Sequence, residues 1–224
     1  MRAMRSRKPD ARQVKDLLYE QVARIGKATS SPKRLELIEL LCQGEKTVDT
    51  LAREAAISMK LASAHLRELR SANLVATERR GKNVLYRLAG GEVAGFWVAI
   101  RSLAEDRLVE LRMALARITD APRELTPTDR DALIRRARRG EVVVLDVRPA
   151  AEYAAAHLPY AQSMPMEELK ARLSELPRDR AIVAYCRGPY CLMARDAVAL
   201  LRQRGFHAEH LAEGVAEWGM APVR

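Results

Sequence analysis

The sequence predicts two domains of different class, a mainly α first half and an α/β second half built on a parallel sheet. Three observations carry this. Residues 11–120 place apolar side chains at helical spacing, interrupted once by strict alternation. Beyond Thr119–Thr128, which holds two prolines, short apolar runs alternate with helical stretches, as in strands buried on both faces between helices. The charge divides at the same place. Residues 1–120 carry 23 Lys and Arg against 15 Asp and Glu, and residues 121–224 carry 16 against 14. A basic excess confined to one half makes that half the candidate for a polyanionic partner, with a merely solvated basic surface as the alternative.

The 224 residues suffice for two cores of about 100 residues each. Aromatic residues are only 4%, so those cores must be built from Leu, Val, Ile and Ala. The longest apolar run, Val93 to Ile100, falls far short of the roughly 20 residues of a membrane helix. The basic start (Arg2, Arg5, Arg7, Lys8) leads into no apolar segment, so no secretory signal is expected. Three scattered cysteines exclude a disulfide scaffold and fit reduced thiols in the cytoplasm.

Element by element, residues 1–11 read as a basic tail. Val14, Leu17, Leu18, Val22 and Ile25 mark a first helix. A second begins at Ser31-Pro32, a cap followed by a proline at the first helical position, and buries Leu35, Ile38, Leu41 and Cys42. Leu51, Ala52, Ala55, Ile57, Leu61, Leu66 and Leu69 are the apolar skeleton of two short helices. Thr47-Val48-Asp49 precedes the first, and Ser58 caps the second. After Leu74 the pattern alternates through Val75-Ala76-Thr77 and Val84 to Leu88. Gly81-Lys82-Asn83 lies between, which predicts a hairpin with a basic tip. A long helix is expected over 92–117 and a linker over 119–128.

The second short helix presents Met59, Lys60, Ser63, Ala64 and Arg67 on one side. Its small residues allow close approach, and its basic ones reach phosphate or guanine. Arg79, Arg80 and Lys82 at the hairpin extend that surface, so helix and hairpin together form a coherent device for double-stranded DNA. These segments resemble the ArsR/SmtB family of winged helix-turn-helix repressors. The resemblance rests on Ser31-Pro32-Lys33-Arg34-Leu35, Gly44 to Val48, Leu51-Ala52, Ser63 to Leu69, Ala72-Asn73-Leu74-Val75 and Arg79 to Tyr86, over about 12–118. It implies an operator-binding homodimer. Val14, Leu17, Leu18, Val22, Ile100, Leu103, Leu108, Leu111 and Leu115 are the apolar residues for its seam. Members that sense metals use cysteine clusters, and here the only thiol is Cys42, so no metal site is expected. Core packing is the first role for Cys42 and persulfide or redox chemistry the second. His65 is read as packing or a phosphate contact.

In the second half, strands are expected at Glu141–Val147 and Ala181–Tyr185. Helices are expected at Pro149–Ala156, Met166–Leu176, Cys191–Arg204 and Val215–Gly219. Cys186 follows a strand directly, and Cys186-Arg187-Gly188-Pro189-Tyr190-Cys191 opens a helix. Backbone N–H groups and the helix dipole at such a loop favour an anion, so the pattern predicts a lowered pKa for Cys186, with Arg187 adding positive charge. This half resembles the rhodanese domain over about 125–222. The resemblance rests on Leu145-Asp146-Val147-Arg148, Glu152-Tyr153, His157 to Ala161, the six-residue loop, and Glu213 to Trp218. It implies a Cys186 persulfide passed to an acceptor. Cys191 departs from the family's usual polar residue and has two readings, a resolving thiol and a structural loop donor. Gly188, Pro189 and Tyr190 shape the loop. Asp146 and Arg148 lie close enough to shape the pocket, with Arg148 expected to pair with Glu152. His157 is not expected to act as a base. Arg135, Arg136, Arg138 and Arg139 read as a solvated helix face, with a DNA backbone contact as the alternative.

The sequence therefore predicts a dimeric cytoplasmic regulator, a repressor, that needs no cofactor. Its α/β domain senses or processes a small sulfur donor (thiosulfate, polysulfide or persulfide) at Cys186 and Cys191. The alternatives are a working sulfurtransferase tethered to an independent DNA-binding domain, and an arsenate- or oxyanion-responsive regulator.

Overall fold

The computed structural model describes residues 10–118 and 127–219. Most of the expected tail and linker, 1–9 and 119–126, lies outside the described residues. The first half runs α1 (Ala11–Thr29), α2 (Pro32–Leu41), β1 (Lys46–Thr47), α3 (Val48–Glu54), α4 (Met59–Ser71), β2 (Val75–Arg80), β3 (Asn83–Leu88), α5 (Gly91–Arg107) and α6 (Val109–Ile118). Pro32 opens α2, the Thr47 hydroxyl accepts from Thr50 N–H to cap α3, and the Ser58 hydroxyl accepts from Leu61 N–H to cap α4. Strands β2 and β3 form the hairpin, and β1 adds antiparallel to β3. Leu37, Ile38, Leu41, Leu51, Leu66, Leu69, Leu88 and Trp97 make one core, with Cys42 inside it.

The second half runs α7 (Pro127–Arg138), β4 (Val142–Asp146), α8 (Ala150–Ala155), β5 (Ala161–Ser163), α9 (Met166–Leu169), a 3₁₀ turn (Leu173–Glu175), β6 (Ala181–Tyr185), α10 (Met193–Gln203) and β7 (Ala208–Leu211). Its sheet is wholly parallel, in the order β5-β4-β6-β7. Alternation decides which side each residue serves. Val143, Leu145, Ile182 and Ala184 pack toward α10, and Val142, Val144, Val183 and Tyr185 pack with Leu133 of α7. The architecture is thus the predicted one, a mainly α winged helix-turn-helix followed by an α/β rhodanese-like domain.

Several boundaries differ from the sequence reading. The long helix over 92–117 breaks at Leu108, whose backbone is extended, and Arg112 Nη1 donates to the Asp106 carbonyl freed at the break. The helix expected over 166–176 is two short turns, with Arg172 bridging Glu168 and Glu175 between them. Val215–Gly219 is a turn, not a helix. Strands β1, β5 and β7 went unpredicted because they are two to four residues long and carry no apolar run. No helix among the described residues is long and apolar enough to cross a membrane.

Candidate functional site

Helix α4 buries Ala62, Leu66 and Leu69, which turns Lys60 and Arg67 to solvent, with Ser63, Ala64 and His65 half-buried beside them. At the hairpin, Arg79 and Lys82 are exposed, and Gly81 takes the left-handed conformation the turn requires. Arg80 is different. Its guanidinium pairs with Glu78 and Glu45, so the structure takes it out of the set of hairpin cations open to a phosphate. Of the expected seam, Val14, Leu17, Leu18, Val22, Leu103 and Leu108 are exposed, whereas Ile100, Leu111 and Leu115 are half-buried. Val109 and Met113, beside the α5–α6 break, are exposed as well.

The cysteine loop sits at the carboxyl end of β6, between the sheet and the start of α10. Cys186 is buried, and its thiol donates to the Cys191 carbonyl at 3.3 Å. Backbone N–H groups converge as the sequence implies, Gly188 and Ala194 on the Cys186 sulfur, Arg187 and Met193 on the Cys191 sulfur. Their effect falls on the other thiol. Burial, with the neighbouring Cys191 charge, pushes Cys186 well above the ordinary thiol range. The hydrogen bond from Cys186, aided by those N–H groups and Arg187, brings Cys191 down to about 6. The expectation of a lowered Cys186 pKa is thus corrected, since desolvation outweighs the backbone dipoles there. The two thiols titrate as a pair, with Cys191 the more acidic of the two.

Two glycines fix the loop. Gly188 has φ +142°, and a Cβ on Gly214 would stand 2.6 Å from the Cys186 carbonyl oxygen. Beneath the loop, Asp146 is wholly buried. It accepts from Arg148 (Nη2 at 2.6 Å) and from the Tyr185 hydroxyl (2.5 Å). Arg148 therefore pairs with Asp146, two residues away, and not with Glu152 as the sequence suggested. A carboxylate buried as deeply as Asp146 needs a cation beside it, and Arg148 is the one within reach among the described residues. His157 stacks on Tyr153 at the surface.

Glu152 instead belongs to a cluster that crosses between the halves. Arg187 holds Glu152 through two hydrogen bonds (3.0 and 2.5 Å), and pairs with Glu54 of α3 at 2.9 Å. Lys46 of β1 pairs with Glu152 at 2.7 Å and with Glu54 at 3.3 Å. Gln43 donates to the Arg187 carbonyl (3.4 Å) and accepts from Arg148 (2.9 Å). On the other side, Arg101 of α5 pairs with Glu217 at 2.6 Å and lies over the rings of Trp97 and Tyr190. Tyr190 thus packs on the first half, not into a pocket of its own domain. Sequence reasoning missed Gln43, Lys46, Glu54, Arg101 and Glu217. One signal was present: Arg101 falls four residues after Trp97 on the buried face of α5, a charge at an apolar position. Among the described residues, no group of three His, Cys, Asp or Glu is placed to hold a metal.

Fold and surface together define a winged helix-turn-helix regulator of transcription with an α/β domain docked on it. Sequence relatives narrow this. Residues 31–77 match the bacterial regulatory protein, arsR family, and residues 129–221 match the rhodanese-like domain. The chain is 42% identical over 207 residues to the HTH-type transcriptional regulator Rv0324 of Mycobacterium tuberculosis, covering 92% of this chain and 91% of that protein. It is 35% identical over 79 residues to a sulfurtransferase of Allochromatium vinosum, covering 35% of this chain and 72% of that one. A solved homodimeric winged helix-turn-helix DNA-binding domain of Mb0332 from Mycobacterium bovis is 34% identical, covers 47% of this chain and 94% of that chain, and superposes with a TM-score of 0.41. The chain belongs to the ArsR family of bacterial regulatory proteins, in a form that carries a C-terminal rhodanese-like domain.

Proposed function

We propose that this regulator is a cytoplasmic homodimeric repressor whose grip on operator DNA is set by the sulfur state of the Cys186–Cys191 pair. The observation that carries the reading is a pair of cysteines held side by side in a loop docked directly on the DNA-binding half. Lys60, Ser63, Ala64 and Arg67 would read the major groove, and Arg79 and Lys82 the adjacent backbone. The many exposed apolar side chains of α1, α5 and α6 support dimerisation, since monomers rarely leave large apolar patches in water.

The chemistry follows from the pair. Cys191 takes the Cys186 proton, and the Cys186 thiolate attacks the sulfane sulfur of thiosulfate. A sulfur–sulfur bond forms at Cys186. The bond to the sulfonate breaks, and its electron pair leaves with sulfite. Cys191, deprotonated again to solvent, can then attack the inner sulfur of the Cys186 persulfide, giving the disulfide and releasing hydrosulfide. Mass spectrometry of the reduced full-length protein after thiosulfate tests the first step. One added sulfur at Cys186 is expected in the wild type, and none at that residue in Cys186→Ser. A wild-type protein that gains no sulfur and forms no disulfide would sink the reading.

A second reading has its own support in the sulfurtransferase relative. The same loop would turn over thiosulfate with a thiol acceptor while the DNA-binding half acts independently. Steady turnover by the full chain, with DNA affinity unchanged throughout, would favour it.

A further inference from the structure

The cations of the loop and its surroundings are not spread at random over the domain boundary. Arg187 is the one basic side chain within 186–191. It is committed to Glu152 of its own domain and Glu54 of the other. Lys46 closes the ring by pairing with the same two carboxylates. Two cations and two carboxylates, contributed equally by the two halves, are thereby charge-balanced, and all four side chains are below one-fifth exposed. Such a network is stable only while each charge keeps its partners.

Its attachment points adjoin the DNA-reading elements. Glu54 is the last residue of α3, directly before the turn into α4. Lys46 is in β1, where it faces Tyr86 of the hairpin strand β3. Gln43, just after α2, holds the Arg187 carbonyl as well. The recognition helix and the wing are therefore each one short step from the residue that follows Cys186.

Resting on the sulfur-dependent reading above, we propose that Arg187 is a latch between the domains: its ion pairs with Glu54 and Glu152 hold the cysteine loop against α3 and β1, and sulfur added at Cys186 releases it. Persulfides are more acidic than thiols, so the transfer written above, with Cys191 taking the proton and sulfite as the leaving group, moves the loop's anion onto the outer sulfur at Cys186, the residue directly before Arg187. That anion competes for the nearest cation. Drawing Arg187 inward leaves Glu54 short of a partner, and α3 and α4 lose the support that set their angle to the wing. Coupling then appears as a difference in DNA affinity between latched and released forms.

The experiment uses the full-length protein, reduced or treated with thiosulfate. DNA affinity is read by fluorescence anisotropy, and sulfur occupancy at Cys186 by mass spectrometry. Glu54→Gln weakens the latch without touching the thiols or the expected DNA contacts. We expect Glu54→Gln to take up sulfur as the wild type does, while the treated-to-untreated ratio of Kd falls from tenfold or more to less than about twofold. An undiminished ratio in Glu54→Gln, with the wild type responding, overturns the latch and leaves the sulfur reading standing. A wild type that takes up sulfur without any change in Kd overturns both. Should Glu54→Gln fail to fold, hydrogen exchange on the wild type decides. Thiosulfate should speed exchange at Ala55, Ala56 and Ile57, and unchanged exchange there would overturn the latch.

Discussion

Two neighbouring thiols titrate as a pair, and that gives the loop a measurable signature. The neighbouring Cys186 thiol, with the loop N–H groups, lowers Cys191 to about 6. Alkylation of the reduced protein by iodoacetamide should therefore rise about tenfold per pH unit up to about 6 and flatten above. In Cys186→Ala, which removes the side-chain donor, the inflection should move toward the ordinary thiol value of about 8.5. An inflection that stays at about 6 would assign the shift to the backbone N–H groups instead. Glu39 of α2 gives a second test. Burial raises it to about 7, with Arg101 opposing, and its Oε1 has no hydrogen-bond partner among the described residues. Its folded pKa is above its unfolded one, so the folded state holds a proton that the unfolded chain has lost between about 4.5 and 7. Stability should fall as pH rises through that window, with the loss complete above it. Glu39→Gln should escape the loss. Denaturant unfolding should find it increasingly more stable than wild type from pH 5 to 8, by about 1–3 kcal/mol at the upper end. An equal gap at both pH values would contradict this.

At the level of elements, the wing and recognition helix divide their work by which cations are engaged. Arg80 is held by Glu45 and Glu78, whereas Arg79 and Lys82 stand in solvent. Every DNA phosphate left without its protein cation should reduce the slope of log affinity against log salt by about 0.9. Replacing Arg79 and Lys82 by Ala should flatten that slope by up to about two such steps, and Arg80→Ala should change it little. A slope untouched by the double replacement would mean that the hairpin does not meet DNA. These elements were legible because their signals are local. Ser31-Pro32, Ser58 and the alternation after Leu74 each mark a boundary within a few residues. The break at Leu108 was not legible, since no glycine or proline announces it and the Arg112 contact to the freed Asp106 carbonyl forms only across the break. Nor was the pairing of Arg148. The sequence pointed to Glu152, and Asp146 became the partner because Lys46 and Arg187 engage Glu152 instead.

For the whole molecule, the two domains and the cysteine loop could be read from the sequence, but the contact between them could not. Lys46, Glu54, Glu152 and Arg187 are ordinary surface residue types at unrelated positions. Their meeting depends on how two independently patterned halves dock. The apolar stripe is the opposite case, since helical spacing named Leu17, Leu18 and Val22 and the structure leaves them exposed. Leu18→Glu would place a charge on that stripe. Sedimentation should then find a folded monomer in place of the proposed wild-type dimer, and DNA binding should weaken with it. A Leu18→Glu protein that remains dimeric would move the seam elsewhere. The central claim joins the loop to the DNA, and one measurement reaches it most directly: anisotropy of labelled DNA from upstream of the protein's own gene, titrated with reduced and with thiosulfate-treated protein. A Kd that shifts tenfold or more, about 1.4 kcal/mol of coupling, in the wild type and not in Cys186→Ser is the expected result. Equal affinities for the two forms, with sulfur shown to be present at Cys186, would contradict it.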